Sequence, residues 1–204
     1  KSETPLSSSP KRLKIAVVGC GEVAQIMHIP YLIELDSHFD LAAVTDISPS
    51  VARRVAERYR IPAWYSDYEK MLEQERPDAV VILTSNEYHA PFAVQAMEHG
   101  AHVLVEKPMC ISLEEAEEMV SKAEALNKVL MVAYMKRYDP NYRLGVQMYS
   151  QHVDNFGPPQ FVRVHDFCHD NRTVINDVYD IIRPEGDIPE EANKERLALL
   201  DRRL

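Results

Sequence analysis

A carboxylate and an ammonium group stand side by side where an apolar segment ends. Glu106 closes a predicted strand that begins at His102, and Lys107 and Pro108 follow it. In an α/β sheet the ligand cleft opens at the carboxyl ends of the strands, so both charges would lie at its rim. A lysine partly desolvated there can donate to a reacting oxygen or take a proton from it. The alternative is a solvated pair that flanks a turn and contributes little.

A glycine-rich turn separates the first predicted strand, Lys14 to Val18, from the helix that follows. Gly19 would make the tight turn, and Gly21, which has no Cβ, would let the backbone approach a pyrophosphate at the positive N-terminus of the helix. Ala24 takes the third small position of the dinucleotide-binding motif, where helix packs on strand. This order favours a dinucleotide site, although such turns also occur in domains that bind nothing.

An acid follows the second strand, roughly twenty residues beyond the glycine turn, as the same motif requires. Asp46 would accept hydrogen bonds from the adenosine ribose. Its carboxylate also repels a 2′-phosphate and so favours NAD over NADP, although Arg53 and Arg54 in the next helix soften that preference. The structural alternative for Asp46 is an N-cap of that helix, shared with Ser48.

Small hydrogen-bonding residues follow another buried strand, Ala79 to Thr84. Thr84, Ser85 and Asn86 suit a nicotinamide ribose or carboxamide, and His89 comes three residues later. The alternative makes the first three residues a turn and an N-cap, and makes His89 a surface histidine in the first turn of a helix.

The composition excludes several classes of protein. The chain has 204 residues and a net charge of −9, without a basic stripe interleaved with aromatics, so nucleic acid is not an expected partner. No apolar run approaches membrane-spanning length, and the cysteines lack metal-ligand spacing. Three cysteines suit free thiols in a reducing cytoplasm better than disulfides. Cys20, inside the glycine turn, is expected to offer its backbone rather than a reactive thiol.

Apolar strands alternate with amphipathic helices, which predicts a doubly wound parallel α/β sheet with helices on both faces. The predicted strands are Lys14 to Val18, Leu41 to Asp46, Ala63 to Tyr65, Ala79 to Thr84, His102 to Glu106 and Val129 to Ala133. The predicted helices are Glu22 to Leu35, Pro49 to Tyr59, Tyr68 to Gln74, Ala90 to His99, Leu113 to Leu126 and Pro140 to Ser150. Pro30 kinks or restarts the first helix, and His28 either faces the cleft or packs beside the proline as a structural histidine.

These motifs, in their order and spacing, resemble the Gfo/Idh/MocA family of oxidoreductases, whose members include glucose-fructose oxidoreductase and inositol dehydrogenase. The segments that carry the resemblance are Gly19-Cys20-Gly21, Asp46, Thr84-Ser85-Asn86-x-x-His89 and Glu106-Lys107-Pro108. The resemblance runs from about Leu13 to about Val164. It includes Met135 to Pro140, which is similar to the family's Arg-Phe-x-Pro segment before a hinge helix.

The resemblance implies a Rossmann domain followed by an α+β domain, whose mostly antiparallel sheet covers the nicotinamide and packs against a partner subunit. The implied reaction is hydride transfer between NAD, or NADP, and a secondary hydroxyl or ketone of a sugar or cyclitol, with Lys107 as the catalytic contact. The residues implied to bind the cofactor are Gly19, Cys20, Gly21, Glu22, Val23, Asp46, Thr84, Ser85, Asn86, His89, Glu106, Lys107 and Arg137. The family pattern also suggests a cis bond before Pro108.

We expect a disordered tail over residues 1–12, the Rossmann domain over 13–150 and part of a substrate and dimerisation domain over 151–204. Within that last part, Pro159 to Asp166 is a predicted strand and Glu190 to Leu204 a predicted helix.

The chain departs from the family pattern in one respect. The family carries a second catalytic pair, an Asp and a His, on a helix of its second domain. Here His165-Asp166 and His169-Asp170 belong to the predicted strand and its exit loop. A dinucleotide- or sugar-sensing regulatory protein without turnover is therefore the alternative function.

Overall fold

A six-stranded sheet forms the centre of the computed structural model, which describes residues 11–163 and 172–201. Its strands are β1 (Leu13–Val18), β2 (Phe39–Thr45), β3 (Ala63–Tyr65), β4 (Ala79–Ile82), β5 (His102–Val105) and β6 (Leu130–Val132). Every neighbouring pair is parallel, in the order β3-β2-β1-β4-β5-β6. The predicted Rossmann sheet is confirmed. Its strand order reverses between β1 and β4, the switch point at which such sheets bind ligands.

The described residues contain eight α-helices, of which the first five connect the strands and cover both faces of the sheet. They are α1 (Ile29–Glu34), α2 (Pro49–Tyr59), α3 (Tyr68–Glu75), α4 (His89–Glu98), α5 (Leu113–Ala125), α6 (Pro140–Phe156), α7 (Arg172–Val178) and α8 (Glu190–Asp201). A five-residue π-helical turn, Ala24–His28, precedes α1, and Pro30 lies in the first turn of α1. The change from π- to α-helix at Ile29 falls beside Pro30, where the sequence predicts a kink or a restart.

Alternate side chains of β1 enter two different cores, as the period of two in a strand requires. Ala16 and Val18 pack with side chains of α3, α4 and α5 on one face. Ile15 and Val17 pack with side chains of α1 and α2 on the other face, together with Ile182 from the C-terminal part of the chain. All four β1 residues are buried, so the first strand anchors both cores.

The described chain divides into two compact units. The first contains the residues up to Val132 and those from Ile181 onward, and the second runs from Ala133 to Asp180. The second unit contains a 3₁₀ turn, Met135–Tyr138, and the helices α6 and α7. Asp139 caps α6, because its Oδ1 accepts hydrogen bonds from the backbone N–H groups of the first turn.

The prediction of a strand over Pro159 to Asp166 is wrong for its described residues. Residues 159–163 form no strand, and the side chains of Phe161 and Val162 are 82% and 71% exposed. A strand needs a neighbour to pair its backbone groups, and the described residues supply none here. The pairs His165-Asp166 and His169-Asp170 and most of the tail over residues 1–12 lie outside the described residues. The predicted helix from Glu190 is confirmed as α8.

No described helix combines the length and the apolar character needed to cross a membrane. Within residues 11–163 and 172–201, no three histidine, cysteine or acidic side chains lie together in a way that could hold a metal ion.

Candidate functional site

A cavity of about 340 Å³ opens at the carboxyl ends of β1, β2 and β4, at the switch point of the sheet. It combines apolar walls with a few polar groups, as ligand sites usually do. The lining residues are Val18, Gly19, Gly21, Thr45, Asp46, Ile47, Ser66, Tyr68, Leu83, Thr84, Ser85, Tyr88, Phe92 and Glu195. Five predicted site residues are among them, namely Gly19, Gly21, Asp46, Thr84 and Ser85.

The two glycines of the turn lie in different surroundings. Gly19 has φ +88°, and a Cβ placed on it would lie 2.7 Å from the carbonyl carbon and oxygen of Leu83 and 2.8 Å from the nitrogen of Thr84. Only glycine fits between β1 and the end of β4. Gly21 is exposed, and a Cβ placed there would meet nothing within 4 Å. The space above Gly21 is therefore open to a ligand.

Asp46 holds the glycine turn against the start of α2. Its Oδ2 accepts a hydrogen bond from the backbone N–H of Cys20 (2.8 Å), and its Oδ1 accepts one from that of Ser48 (2.9 Å). The cap of α2 is Ser48, whose Oγ accepts from the N–H of Val51. Burial raises the pKa of Asp46, the two backbone hydrogen bonds oppose this rise, and the nearby charge of Asp187 adds to it.

Cys20 is a turn residue whose groups are all directed into the protein. Its thiol is buried 3.6 Å from the carbonyl oxygen of Thr45, and burial, followed by the charge of Asp46, raises the pKa of the thiol. Its backbone N–H is used by Asp46, and its carbonyl accepts from Nε2 of Gln25 (2.8 Å). Glu22 and Val23 begin the helix beside the open space above Gly21.

Two buried hydroxyls at the cavity lack hydrogen-bond partners among the described residues. They are Oγ1 of Thr45 and Oγ1 of Thr84, and both residues line the cavity. A buried polar group left without a partner costs roughly 1–3 kcal/mol. A ligand that carries hydroxyl and phosphate oxygens would supply partners for such groups, so these residues fit a dinucleotide.

His89 joins two loops at the carboxyl edge of the sheet. It is the first residue of α4 and only 1% exposed, so its interpretation as a surface histidine is wrong. Its Nδ1 lies 2.7 Å from the carbonyl oxygen of Pro108, and its Nε2 lies 3.1 Å from that of Thr84. The ring therefore fixes the loop after β5 against the loop after β4. Asn86 begins the 3₁₀ turn just before α4.

Glu106 lies directly after β5 and organises the residues around it. Its Oε1 lies 3.0 Å from Nε2 of His28, and its Oε2 accepts from the backbone N–H of Lys107 (2.9 Å). The side chain of Lys107 is exposed, and the described residues contribute no hydrogen bond or ion pair to its ammonium. The bond between Lys107 and Pro108 is cis, as predicted.

Two further residues belong to the site region: His28, for which the sequence leaves a place at the cleft or beside Pro30 open, and Glu195, which the sequence does not indicate. The π-helical turn brings His28 to Glu106, and π-helical turns are frequent at functional sites. Glu195 reaches the cavity from α8, far away in the sequence, and no local pattern indicates this. Arg137 lies in the second unit, in the 3₁₀ turn Met135–Tyr138.

Known proteins resemble this chain in sequence and in fold. The profile of the Gfo/Idh/MocA oxidoreductases, described as an oxidoreductase family with an NAD-binding Rossmann fold, matches residues 13–134. A D-glucoside 3-dehydrogenase of Escherichia coli is 33% identical over 153 residues, which are 75% of this chain and 42% of the relative. The NAD(+)-dependent scyllo-inositol 2-dehydrogenase of Bacillus subtilis is 31% identical over 64% of this chain and 38% of its own length.

A solved structure agrees with these relatives. The scyllo-inositol dehydrogenase of Lactobacillus casei, crystallised with NAD(H) and scyllo-inositol, superimposes with a TM-score of 0.66 and 26% identity over 70% of this chain. The aligned part is 42% of that protein. The chain thus spans about two fifths of the length of the curated relatives that it matches.

Proposed function

Because the chain belongs to the Gfo/Idh/MocA oxidoreductase family with its NAD-binding Rossmann fold, we propose that it is a nicotinamide-dependent dehydrogenase of a sugar or cyclitol. The observation that carries the proposal is the shared edge of three adjacent strands. The glycine turn after β1, the polar residues after β4 and Glu106-Lys107 after β5 all leave the sheet at its carboxyl edge. The residues proposed to contact cofactor and substrate would thereby share one rim.

The residues at the cavity suit the successive parts of NAD. The backbone at Gly21, Glu22 and Val23 would receive the pyrophosphate at the start of the helix. Asp46 would accept hydrogen bonds from the adenosine ribose, in addition to those from Cys20 and Ser48. A carboxylate has about four acceptor positions, so it can serve the protein and the ribose together.

The proton chemistry falls to Lys107. NAD, when bound, takes up the hydride from the carbon that carries the reacting hydroxyl. The amine of Lys107 would receive the hydroxyl proton during oxidation, and its ammonium would return that proton to the oxygen during reduction. Glu106 accepts from the backbone N–H of Lys107, and His28 contacts Glu106, so the backbone of Lys107 is fixed at the carboxyl edge of the sheet.

The experiment is a calorimetric titration of the full chain with NAD, followed by an absorbance assay for NADH with a panel of sugars and cyclitols. Lys107→Met is expected to bind NAD like the parent chain and to lose turnover by a factor of about 10² or more, as loss of a general acid–base does. The matched control is Lys128→Met, because Lys128 donates to the carbonyl of Gly100 at the opposite, amino edge of the sheet. Equal turnover of the two variants would refute the role of Lys107.

A sensor without turnover remains the alternative, and the same assay separates it from the enzyme. NAD binding without NADH formation on any sugar or cyclitol would favour the sensor. A homo-oligomer, a cytoplasmic location and the division into domains at residue 150 stay predictions from the sequence.

A further inference from the structure

The C-terminal segment of the first unit, residues 181–201, is built into the edge of the sheet that carries the candidate cofactor site. Gln25, which follows the glycine turn, accepts from the N–H of Ile182 (2.9 Å) and donates to its carbonyl (2.9 Å). Ile182 is itself buried in the core formed by β1, α1 and α2. The segment is therefore anchored beside the turn that would receive the pyrophosphate.

From this anchor the segment places a carboxylate at the start of α2. Oδ1 of Asp187 accepts from Oγ of Ser48 (2.6 Å) and from Oγ of Ser50 (3.0 Å), and its Oδ2 accepts from the backbone N–H of Ser50 (2.7 Å). These donors hold the ionised form, so the pKa of Asp187 is lowered to about 2. An internal anion thus occupies the donors at this helix start at neutral pH.

This carboxylate lies beside the residue proposed to bind the adenosine ribose. Ser48 contacts both acids, since its N–H donates to Asp46 and its Oγ donates to Asp187. The charge of Asp187 also contributes to the raised pKa of Asp46. The two carboxylates therefore flank one serine at the adenosine end of the cavity.

The same segment also engages a cation. Nη1 of Arg54 lies 2.7 Å from Oε1 of Glu185, and this pair is partly exposed. Arg54 lies in α2, the helix that follows Asp46, and an arginine near that acid is the residue type that accommodates a 2′-phosphate in dinucleotide-binding folds. Glu185 therefore holds the guanidinium of Arg54 at the segment and offsets part of its charge.

We infer that Asp187, assisted by Glu185, makes the adenosine end of the site reject a 2′-phosphate, so that the protein selects NAD over NADP. The inference rests on the proposed function, because it requires that a nicotinamide dinucleotide binds in this cavity. Asp187 already uses the hydroxyl and N–H donors that a phosphate would need, and its charge repels the phosphate. The acid of the dinucleotide-binding motif, Asp46, is thus reinforced by a second acid, Asp187, from the segment 181–201.

The test is the affinity of the full chain for NAD and for NADP, measured by calorimetry at a fixed, stated salt concentration. The parent chain is expected to bind NAD more tightly. Asp187→Ala frees Ser48 and Ser50 and is expected to raise the affinity for NADP about tenfold, while the affinity for NAD changes less than about threefold. Asp187→Asn keeps the side-chain size, guards against a folding defect and is expected to shift the ratio in the same direction.

The control is Glu191→Gln, which removes an equal charge from the same segment at an exposed pair with Lys194. An unchanged ratio of NADP to NAD affinity in both Asp187 variants, or an equal change in Glu191→Gln, would overturn the inference. Failure of the parent chain to bind either dinucleotide would instead overturn the proposed function, and the inference with it. The two failures are therefore distinguishable.

Discussion

Replacing Gly19 with alanine places a methyl group against the backbone of a neighbouring strand end. The new Cβ would lie 2.7 Å from the carbonyl atoms of Leu83 and 2.8 Å from the nitrogen of Thr84, both of which belong to the main chain after β4. A flexible side chain could move aside, but these atoms cannot move without disturbing the pairing of β1 with β4. The substitution also forces a residue with a Cβ to adopt φ +88°.

Gly100 separates these two effects. It has φ +89°, nearly the same as Gly19, but a Cβ placed on it meets nothing within 4 Å. The left-handed conformation costs a residue with a Cβ roughly 1–2 kcal/mol, so Gly100→Ala should lower the free energy of unfolding by about that amount. Gly19→Ala should lose about 1–3 kcal/mol more, the usual cost of overpacking a tight site. We therefore expect a total loss of about 2–5 kcal/mol for Gly19→Ala.

Urea unfolding followed by tryptophan fluorescence measures both values. The sequence contains a single tryptophan, Trp64, which lies in β3 and so reports on the unit that contains both glycines. With an m-value of about 2 kcal/mol per M, Gly19→Ala should lower the midpoint by about 1–2.5 M and Gly100→Ala by about 0.5–1 M. Equal midpoints for the two variants would refute the argument from close approach.

The remaining predictions concern two other residues of the glycine turn and the acid beside it. Gly21→Ala should change the free energy of unfolding by less than about 0.5 kcal/mol, because its Cβ meets nothing, yet weaken NAD binding in calorimetry. Acidification should weaken NAD binding at a pH above 3.8, the ordinary pKa of an aspartate, because burial raises the pKa of Asp46 and the ribose needs its ionised form. Asp46→Asn should remove this pH dependence. The same raised pKa stabilises the fold below 3.8, and that contribution is lost as the pH rises through the pKa of the folded state. Cys20 should resist iodoacetamide at pH 8 until urea unfolds the chain, as peptide mapping would show, because burial raises the pKa of its thiol.

Local sequence patterns were sufficient to predict the sheet and most of the helices that cover it. The bounds of α2 and β3 agree with the prediction, because Ser48 and Pro49 mark the start of α2 and β3 is a short run between Pro62 and Ser66. The strands β2, β4 and β5 end one or two residues before the predicted polar residues Asp46, Thr84 and Glu106, although the N–H groups of Asp46 and Glu106 still donate to the carbonyls of Tyr65 and Ile82 in the neighbouring strands.

Contacts between distant parts of the chain were not predictable from such patterns. The sequence leaves open whether His28 faces the cleft or packs beside Pro30, and the π-helical turn brings it to Glu106. The placement of Asp187 at Ser48 joins residues 139 positions apart. Periodicity and capping rules depend on residues a few positions apart, so they contain no information on pairs that are distant in the sequence.

The hydrogen bonds between Gln25 and Ile182 also set an order of assembly. The two residues are 157 positions apart, so during synthesis the glycine turn leaves the ribosome long before its partner exists. The six strands can pair first, because all of them are made before Ala133, and N-terminal parts generally fold first. The candidate cofactor cavity then gains the wall formed by Glu195 only after residues 181–201 are made. Formation of the candidate cofactor cavity is thereby coupled to synthesis of the segment that contains Ile182.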